Sequence, residues 1–454
     1  MDMLKSINPA NGETLSEHVQ HSDAEVEVAL ARAQKAFESN RLTSFADRAE
    51  RMRAVADVLE DRKAKYAHLM TAEMGKPIKQ ARAEVEKCAL ACRFYADRAE
   101  MFLADERVDD DPKRYVRHLP IGPVLAVMPW NFPFWQVIRF AAPNLMAGNT
   151  GVLKHASNVT GCALAIQDLF EEAGFIPGSF ETLKLSSSRT EKVIRDDRIR
   201  AVTLTGSEKA GSAVAAVAGE VIKKTVLELG GSDAFIVMPS ADLEAAAKVG
   251  VDARLTNSGQ SCIAAKRFIV HADIHDAYRD AFIAEMDRQT VGDPTQDVTD
   301  VGPLVSADAC ARLEDQVNKT VSMGGVRVTG ARPINRPGAF FEPGVIEDIP
   351  ARSPGAVDEL FGPVALFNRV RSLADAIHLA NSHRYGLGSA IFTCDEDEIE
   401  TAVNGLDAGT TAVNQKVAST LELPFGGVKA SGYGRELARD GVLEFTNRKA
   451  VAIK

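Results

Sequence analysis

From Val124 onward, short apolar runs alternate with helical stretches at a spacing that a mostly parallel, helix-covered sheet satisfies. After Gly122-Pro123, the run Val124-Leu125-Ala126-Val127-Met128 is apolar throughout, as a strand buried on both faces requires. Strands are then expected near 151–154, 181–185, 201–205 and 224–227, with helices over 160–173, 189–196 and 209–219 between them. A second α/β series follows Gly231. It has a strand at 234–238, a helix from a Ser240 cap through about 257, and a strand at 267–271.

The flanks read differently. The first hundred residues are helical in pattern: Ser22-Asp23-Ala24-Glu25 forms a capping box ahead of Val26, Leu30, Ala33 and Phe37. One pattern runs through 46–74 to Gly75 and Pro77, and another helix covers 78–104. Tyr115-Val116-Arg117-His118-Leu119 alternates like a strand, as does the chain end from Phe445 to Ile453, and the two together suggest an arm outside the main domains. The 454 residues suffice for two or three domains. With no internal repeat and no long linker, interleaved segments fit better than beads on a string.

Composition narrows the functional classes. Lys and Arg total 53 against 63 Asp and Glu, and the net charge of -10 argues against a nucleic-acid or anionic-membrane surface. The opening residues lack a signal-peptide pattern, and no apolar run reaches the length of a membrane span. Cys88, Cys92, Cys162, Cys262, Cys310 and Cys394 are scattered, without a disulfide framework, which fits a reducing cytoplasm. Cys88 and Cys92 lack a second ligand pair, the histidines are dispersed, and no metal site is expected.

Candidate chemistry gathers at a few points. Cys262 follows Asn257-Ser258-Gly259-Gln260-Ser261, small and polar residues that admit a substrate close to the backbone. A lone cysteine is more often a small buried hydrophobe, so the flanks carry the nucleophile reading. A cysteine hydrolase would need a histidine, and the nearest, His271, sits in an apparent strand. Glu228 ends an apolar strand, where a carboxylate is either paired or used as a base. Asn131, in Trp130-Asn131-Phe132-Pro133, is a turn residue or an oxyanion donor. No GxGxxG motif is present, and Gly206-Ser207-Glu208-Lys209-Ala210-Gly211 lacks the Lys-Ser/Thr of a P-loop. What remains there is a strand, a turn and a helix start that can receive a phosphate. Lys154, at the end of the preceding strand, is a solvated strand end or a ribose or phosphate ligand.

Together these landmarks resemble the aldehyde dehydrogenase superfamily. They come in order: Pro129 to Pro133, Leu153-Lys154, Thr205-Gly206-Ser207, Glu228-Leu229-Gly230-Gly231, Gly259-Gln260-Ser261-Cys262, Glu359-Leu360-Phe361-Gly362-Pro363, and Pro424 to Gly432. The resemblance implies an α/β fold of two interleaved doubly wound domains with a small β oligomerisation arm. The dinucleotide-binding domain would comprise 1–106 and 123–229, the catalytic domain 230–432, and the arm 107–122 and 433–454. It implies that Cys262 is the nucleophile, Glu228 the general base, and Asn131 with the Cys262 N–H the oxyanion hole. Lys154 would bind the adenosine ribose, Ser207 the pyrophosphate and Glu359 the nicotinamide ribose, with Trp130, Ser157, Gly206, Gly211, Leu229 and Phe361 completing the cofactor site. A homodimer or homotetramer joined through the arm is implied too.

The closer resemblance is to short-class bacterial succinate-semialdehyde dehydrogenases, through Lys154-His155-Ala156-Ser157-Asn158 and Cys262-Ile263-Ala264-Ala265-Lys266-Arg267. It implies that Arg139, eight residues after Asn131, holds an omega-carboxylate, with Trp135, Ser419, Thr420 and Phe425 around the substrate. A departure stands at Thr256, where some members carry a second arginine. Many NAD-preferring members place Glu where this chain has Ser157. Serine leaves room for a 2′-phosphate that a carboxylate would repel, so NADP is expected as the preferred cofactor, with NAD accepted. A broader aliphatic aldehyde dehydrogenase is the runner-up. A coenzyme A-acylating enzyme and a non-catalytic scaffold are further alternatives.

Overall fold

Five of the apolar runs pair side by side in a computed structural model that describes residues 3–454. Met1 and Asp2, which open the 1–106 segment and the stretch read as leaderless, lie outside the described residues. Lys224–Glu228, Ala201–Thr205, Pro123–Met128, Thr150–His155 and Phe180–Thr182 lie in that order, all parallel, and Gly432–Tyr433 adds an antiparallel edge. The chain winds outward from Pro123–Met128 to Phe180–Thr182, then returns to the other side of its first strand. The strand order therefore reverses between Pro123–Met128 and Ala201–Thr205, and the crevice at the carboxyl ends there is where open α/β sheets take ligands.

The second sheet has seven strands, in the order Val326–Thr329, Gly344–Glu347, Val364–Val370, Ala265–His271, Asp233–Val237, Gly388–Phe392 and Thr410–Val413. All pairs are parallel except the antiparallel edge at Val326–Thr329. Only Leu229 to Ser232 separate the carboxyl end of one sheet, at Glu228, from the amino end of the other, at Asp233. Stacked Phe235, Phe392, Phe268 and Phe367 fill the core under the second sheet.

Four helices, Asp23–Asn40, Phe45–Asp61, Lys63–Met74 and Ile78–Phe102, contribute to the cores over the first sheet. The Ser22 capping box is present as expected. The single pattern expected over 46–74 is two helices broken at Arg62, which has φ −103° and ψ 15°. The helix expected from Ser240 starts instead after Asp242, whose carboxylate caps Ala245 N, because Ser240 Oγ bonds Thr393 and the Cys394 N–H. The first hundred residues also hold a hairpin, Met3–Ile7 with Thr14–Val19, which the helical reading missed although Asn11-Gly12 is a hairpin signal. Arg114–Pro120 pairs with Thr446–Ala452 and with Glu106–Arg107, forming a separate three-stranded antiparallel sheet. Among the described residues no helix is long and apolar enough to cross a membrane.

One buried ion pair sets the wall of the site. Glu84, on Ile78–Phe102, pairs with fully buried Lys76, and its other oxygen accepts the Phe134 and Trp135 N–H groups, both at 2.9 Å. It thereby caps helix Trp135–Met146, which has no side-chain cap of its own. Removing one partner of a buried pair leaves an uncompensated charge. Glu84→Ala is expected to destabilise the protein by about 3–5 kcal/mol in urea unfolding; a loss below about 1 kcal/mol, the size of a surface pair, would contradict this reading.

Candidate active site

The segment between helix Leu243–Leu255 and strand Ala265–His271 cannot be ordinary turn. Asn257 and Ser258 both hold left-handed backbone, at φ 55° and 56°, and Gly259 follows at φ 78°. A Cβ at Gly259 would stand 2.4 Å from the Gly362 carbonyl, so only glycine lets the two motifs approach. Buried side chains hold the strained turn. Arg254 donates to Gly259 O at 2.7 Å, Asn257 Nδ2 donates to Asn131 O at 2.8 Å, and Ser258 Oγ accepts from Gly302 N. Asn131 Nδ2 in turn donates to Gln260 O at 3.2 Å, which brings its amide to the loop two residues ahead of Cys262. The second hydrogen of that amide has no partner among the described residues.

Cys262 is half-buried on the wall of a cavity of about 740 Å³. Burial pushes its thiol up to about 12, opposed mainly by the Lys266 and Arg139 charges. Lys266 is fully buried. Its ammonium donates to Ser261 O at 2.7 Å and Cys262 O at 2.6 Å, and lies 3.2 Å from Glu359 Oε1. Glu359 also accepts the Gly231 N–H. The nucleophile loop, the Glu359 motif and the link between the sheets are thus tied by one ammonium.

Glu228 ends its strand 2% exposed, and neither carboxylate oxygen has a hydrogen-bond partner among the described residues. A Cβ at Gly426 would meet Glu228 Oε1 at 2.8 Å, so that glycine makes room for the carboxyl group. Burial raises its pKa well above the usual carboxylate range. Nearby Glu436 adds to the rise, while Arg139 and Arg435 oppose it. Glu228 does not line the cavity on which Cys262 lies.

The crevice where the strand order reverses gathers the expected cofactor residues. Trp130 follows Pro123–Met128 and meets Phe361 edge-on, with ring centroids 5.7 Å apart. Gly206 and Ser207 follow Ala201–Thr205, and Ser207 caps helix Glu208–Glu220 by accepting from Ala210 N. The free N–H groups of that first turn suit a phosphate. Gly211 is buried instead against Leu229, whose Cδ2 a Cβ would meet at 2.6 Å. A glycine there lets helix Glu208–Glu220 pack closely on Leu229. Lys154 is buried at a strand end, and among the described residues its ammonium's only bond is a 3.5 Å contact with Ser187 Oγ. Ser157 begins the next short helix. A buried, barely engaged cation beside a serine and a helix start fits a phosphate-bearing dinucleotide.

The expected substrate residues divide. Trp135, Arg139, Ser419 and Phe425 line the cavity with Cys262. Thr420 does not: it is exposed while Ser419 is buried. Arg139 also has a partner of its own. It is 2% exposed, ion-paired through Nε with buried Glu436, and packed over the Phe425 ring at 4.8 Å. Its Nε side is held by Glu436 while the residue still lines the cavity.

Several site residues escaped sequence reasoning. Gln80, Glu84 and Lys87 line the cavity at i, i+4 and i+7 on a helix whose buried residues are most often Ala, with Cys88 and Cys92 among the rest. That spacing was a usable signal. Lys266-Arg267 opening an apolar strand was another, since two cations there need buried partners. Glu436 carried no local signal.

A crevice for a dinucleotide next to a cysteine-bearing cavity, built across two doubly wound sheets, defines a class of dinucleotide-dependent enzyme with a thiol nucleophile. The aldehyde dehydrogenase family model matches residues 2–451, and the chain belongs to that family. A probable NADP+ succinate-semialdehyde dehydrogenase of Synechocystis is 49% identical, covering 99% of both chains. An NADP+ succinate-semialdehyde dehydrogenase of Mycolicibacterium paratuberculosis is 50% identical, over 99% of this chain and 96% of its own. The crystal structure of succinic semialdehyde dehydrogenase from Streptococcus pyogenes, in complex with NADP+, superposes with TM-score 0.97 at 37% identity over 99% of each chain. An NAD-dependent aldehyde dehydrogenase from Sinorhizobium meliloti has TM-score 0.96 at 30% identity, over 100% of this chain and 92% of its own.

A thiol held this high ionises late. Without cofactor, mass-resolved alkylation of Cys262 by iodoacetamide is expected to accelerate steadily from about pH 7 to about pH 10. A plateau near pH 8 would show a thiol already activated at rest.

Proposed function

We propose that this protein oxidises succinate semialdehyde to succinate with NADP+, accepting NAD+ less well. The supporting observation for the substrate is near-full-length identity of about half to proteins named for that activity. For the cofactor it is Ser157 near Lys154, where no carboxylate opposes a 2′-phosphate. A broader aliphatic specificity is the second reading, because Thr256 supplies no cation ahead of the cysteine.

In this reading Lys154, Ser157 and Ser207 hold the adenosine side of the dinucleotide, Glu359 the nicotinamide ribose, and Trp130, Gly206, Leu229 and Phe361 shape the crevice. The bound nicotinamide supplies the two-electron acceptor. The Cys262 thiol gives up its proton and its sulfur bonds to the aldehyde carbon. The Asn131 amide and the Cys262 N–H hold the resulting oxyanion. Oxidation leaves a thioester on Cys262. Glu228 takes a proton from water, which attacks that thioester, and the carboxylic acid leaves as the thiol is restored. Glu228 must reach the water as a carboxylate. Because its pKa is raised, the basic form grows as pH rises, so hydrolysis accelerates toward alkaline pH.

The segments 1–106 with 123–229, 230–432, and 107–122 with 433–454 then serve as cofactor, catalytic and arm units. Thr446–Ala452 offers an exposed edge through which a cytoplasmic dimer or tetramer would pair.

Glu228→Gln should still give one rapid turnover of reduced cofactor and then a hydrolysis rate lower by about 10²–10⁴-fold in stopped flow. Unchanged steady-state turnover would remove Glu228 from the mechanism. Ser157→Glu should move the kcat/KM ratio toward NAD+. Wild-type preference for NAD+ over NADP+ would sink the cofactor reading.

A further inference from the structure

The cavity around Cys262 is rich in charge, and nearly all of that charge is matched. Among its lining cations, Lys79 pairs with Asp300, Lys416 with Asp252 and Arg139 with Glu436. Lys248 is exposed to solvent. Lys87 is different: it is half-buried and has no carboxylate partner among the described residues. Its ammonium donates to Ser419 Oγ at 2.7 Å and sits 4.1 Å from the centre of the Trp135 ring. Both neighbours are cavity residues, so the three side chains form one polar-tipped, aromatic-walled corner.

From this arrangement we infer that Lys87, steadied by Ser419 and Trp135, is a further specificity-determining cation that binds the far carboxylate of the substrate. The inference rests on the omega-carboxy aldehyde reading above. Arg139, ion-paired with Glu436, lines the same cavity, and Lys87 acts in addition to it. A half-buried ammonium without a counter-ion is poorly solvated, and a substrate carboxylate supplies the missing charge. An uncharged aldehyde leaves it unmatched, so the same residue both attracts one substrate and disfavours the other. Burial, followed by the positive charge of Arg139, lowers the Lys87 pKa to about 8, while nearby Glu84, already ion-paired with Lys76, opposes the fall.

The test compares wild type, Lys87→Met and Lys87→Arg on succinate semialdehyde and on butanal, with succinate as a competitive inhibitor. Loss of one charged hydrogen bond predicts that Lys87→Met raises KM for succinate semialdehyde by about 10- to 100-fold with kcat within about twofold. KM for butanal should not rise, and Lys87→Arg should recover much of the affinity. Equal losses on both aldehydes, or no loss on either, would overturn the inference. If wild type shows no preference for succinate semialdehyde over butanal, the substrate reading itself fails. Succinate inhibition then decides Lys87 alone: its Ki must still rise in Lys87→Met, and an unchanged Ki overturns the assignment. Should Lys87→Met fail to fold, the Lys87→Arg and Lys87→Gln proteins carry the same comparison, with Gln expected to lose affinity and Arg to keep it.

Discussion

The approach of Gly259 to Gly362 is the contact on which the site depends. It brings the loop ahead of Cys262 against the segment that begins with Glu359, with no space for a Cβ between them. Two non-glycine residues in left-handed backbone lead into it, a cost of order 1–3 kcal/mol each that only a surrounding framework can sustain. Arg254, Asn257, Ser258 and Lys266 are that framework. Each is buried and bonded to backbone of the loop or of its neighbours. Rigidity of this kind keeps a thiol and an amide in register without a metal or a second cysteine to hold them.

Buried charge is the second theme. Lys76 with Glu84, Arg139 with Glu436, and Lys266 with Glu359 all lie around the cavity or the crevice. Each pair fixes an element: a helix start, the loop around Phe425, the nucleophile turn. Glu228 is the exception, a buried carboxyl group with neither oxygen bonded. An acid left unpartnered in a dry site is suited to taking a proton at one step and releasing it at another. The Cys262 thiol, also raised by burial, fits the same logic. Burial disfavours the charged form of both groups, and reactivity depends on what the cofactor and substrate bring to them.

Much of the fold was legible because parallel strands buried on both faces write themselves as apolar runs. The Pro123–Met128, Ala201–Thr205 and Lys224–Glu228 strands fell where their residues predict, as did the turn at Gly206-Ser207. Local signals competed at Ser240 and Asp242, and tertiary bonds to Thr393 and Cys394 decided between them. The hairpin at Met3–Ile7 went unread because the helical pattern that follows it dominates the first hundred residues. Site geometry was less legible. The resemblance marked Arg139 as a carboxylate ligand; what it did not show is the ion-pair partner Glu436, almost three hundred residues away, which only folding brings to it. Thr420 lies outside the cavity that its neighbour Ser419 lines, a one-residue difference that adjacency in sequence does not reveal.

The central claim is that the aldehyde carbon becomes bonded to the Cys262 sulfur and is oxidised there. Acid-quenching Glu228→Gln protein within the first turnover on succinate semialdehyde and NADP+, followed by peptide mass mapping, tests it most directly. The account predicts a succinyl group on the peptide containing Cys262, in amount equal to the reduced cofactor formed. Reduced cofactor formed without that adduct, or an adduct on another cysteine, would contradict it.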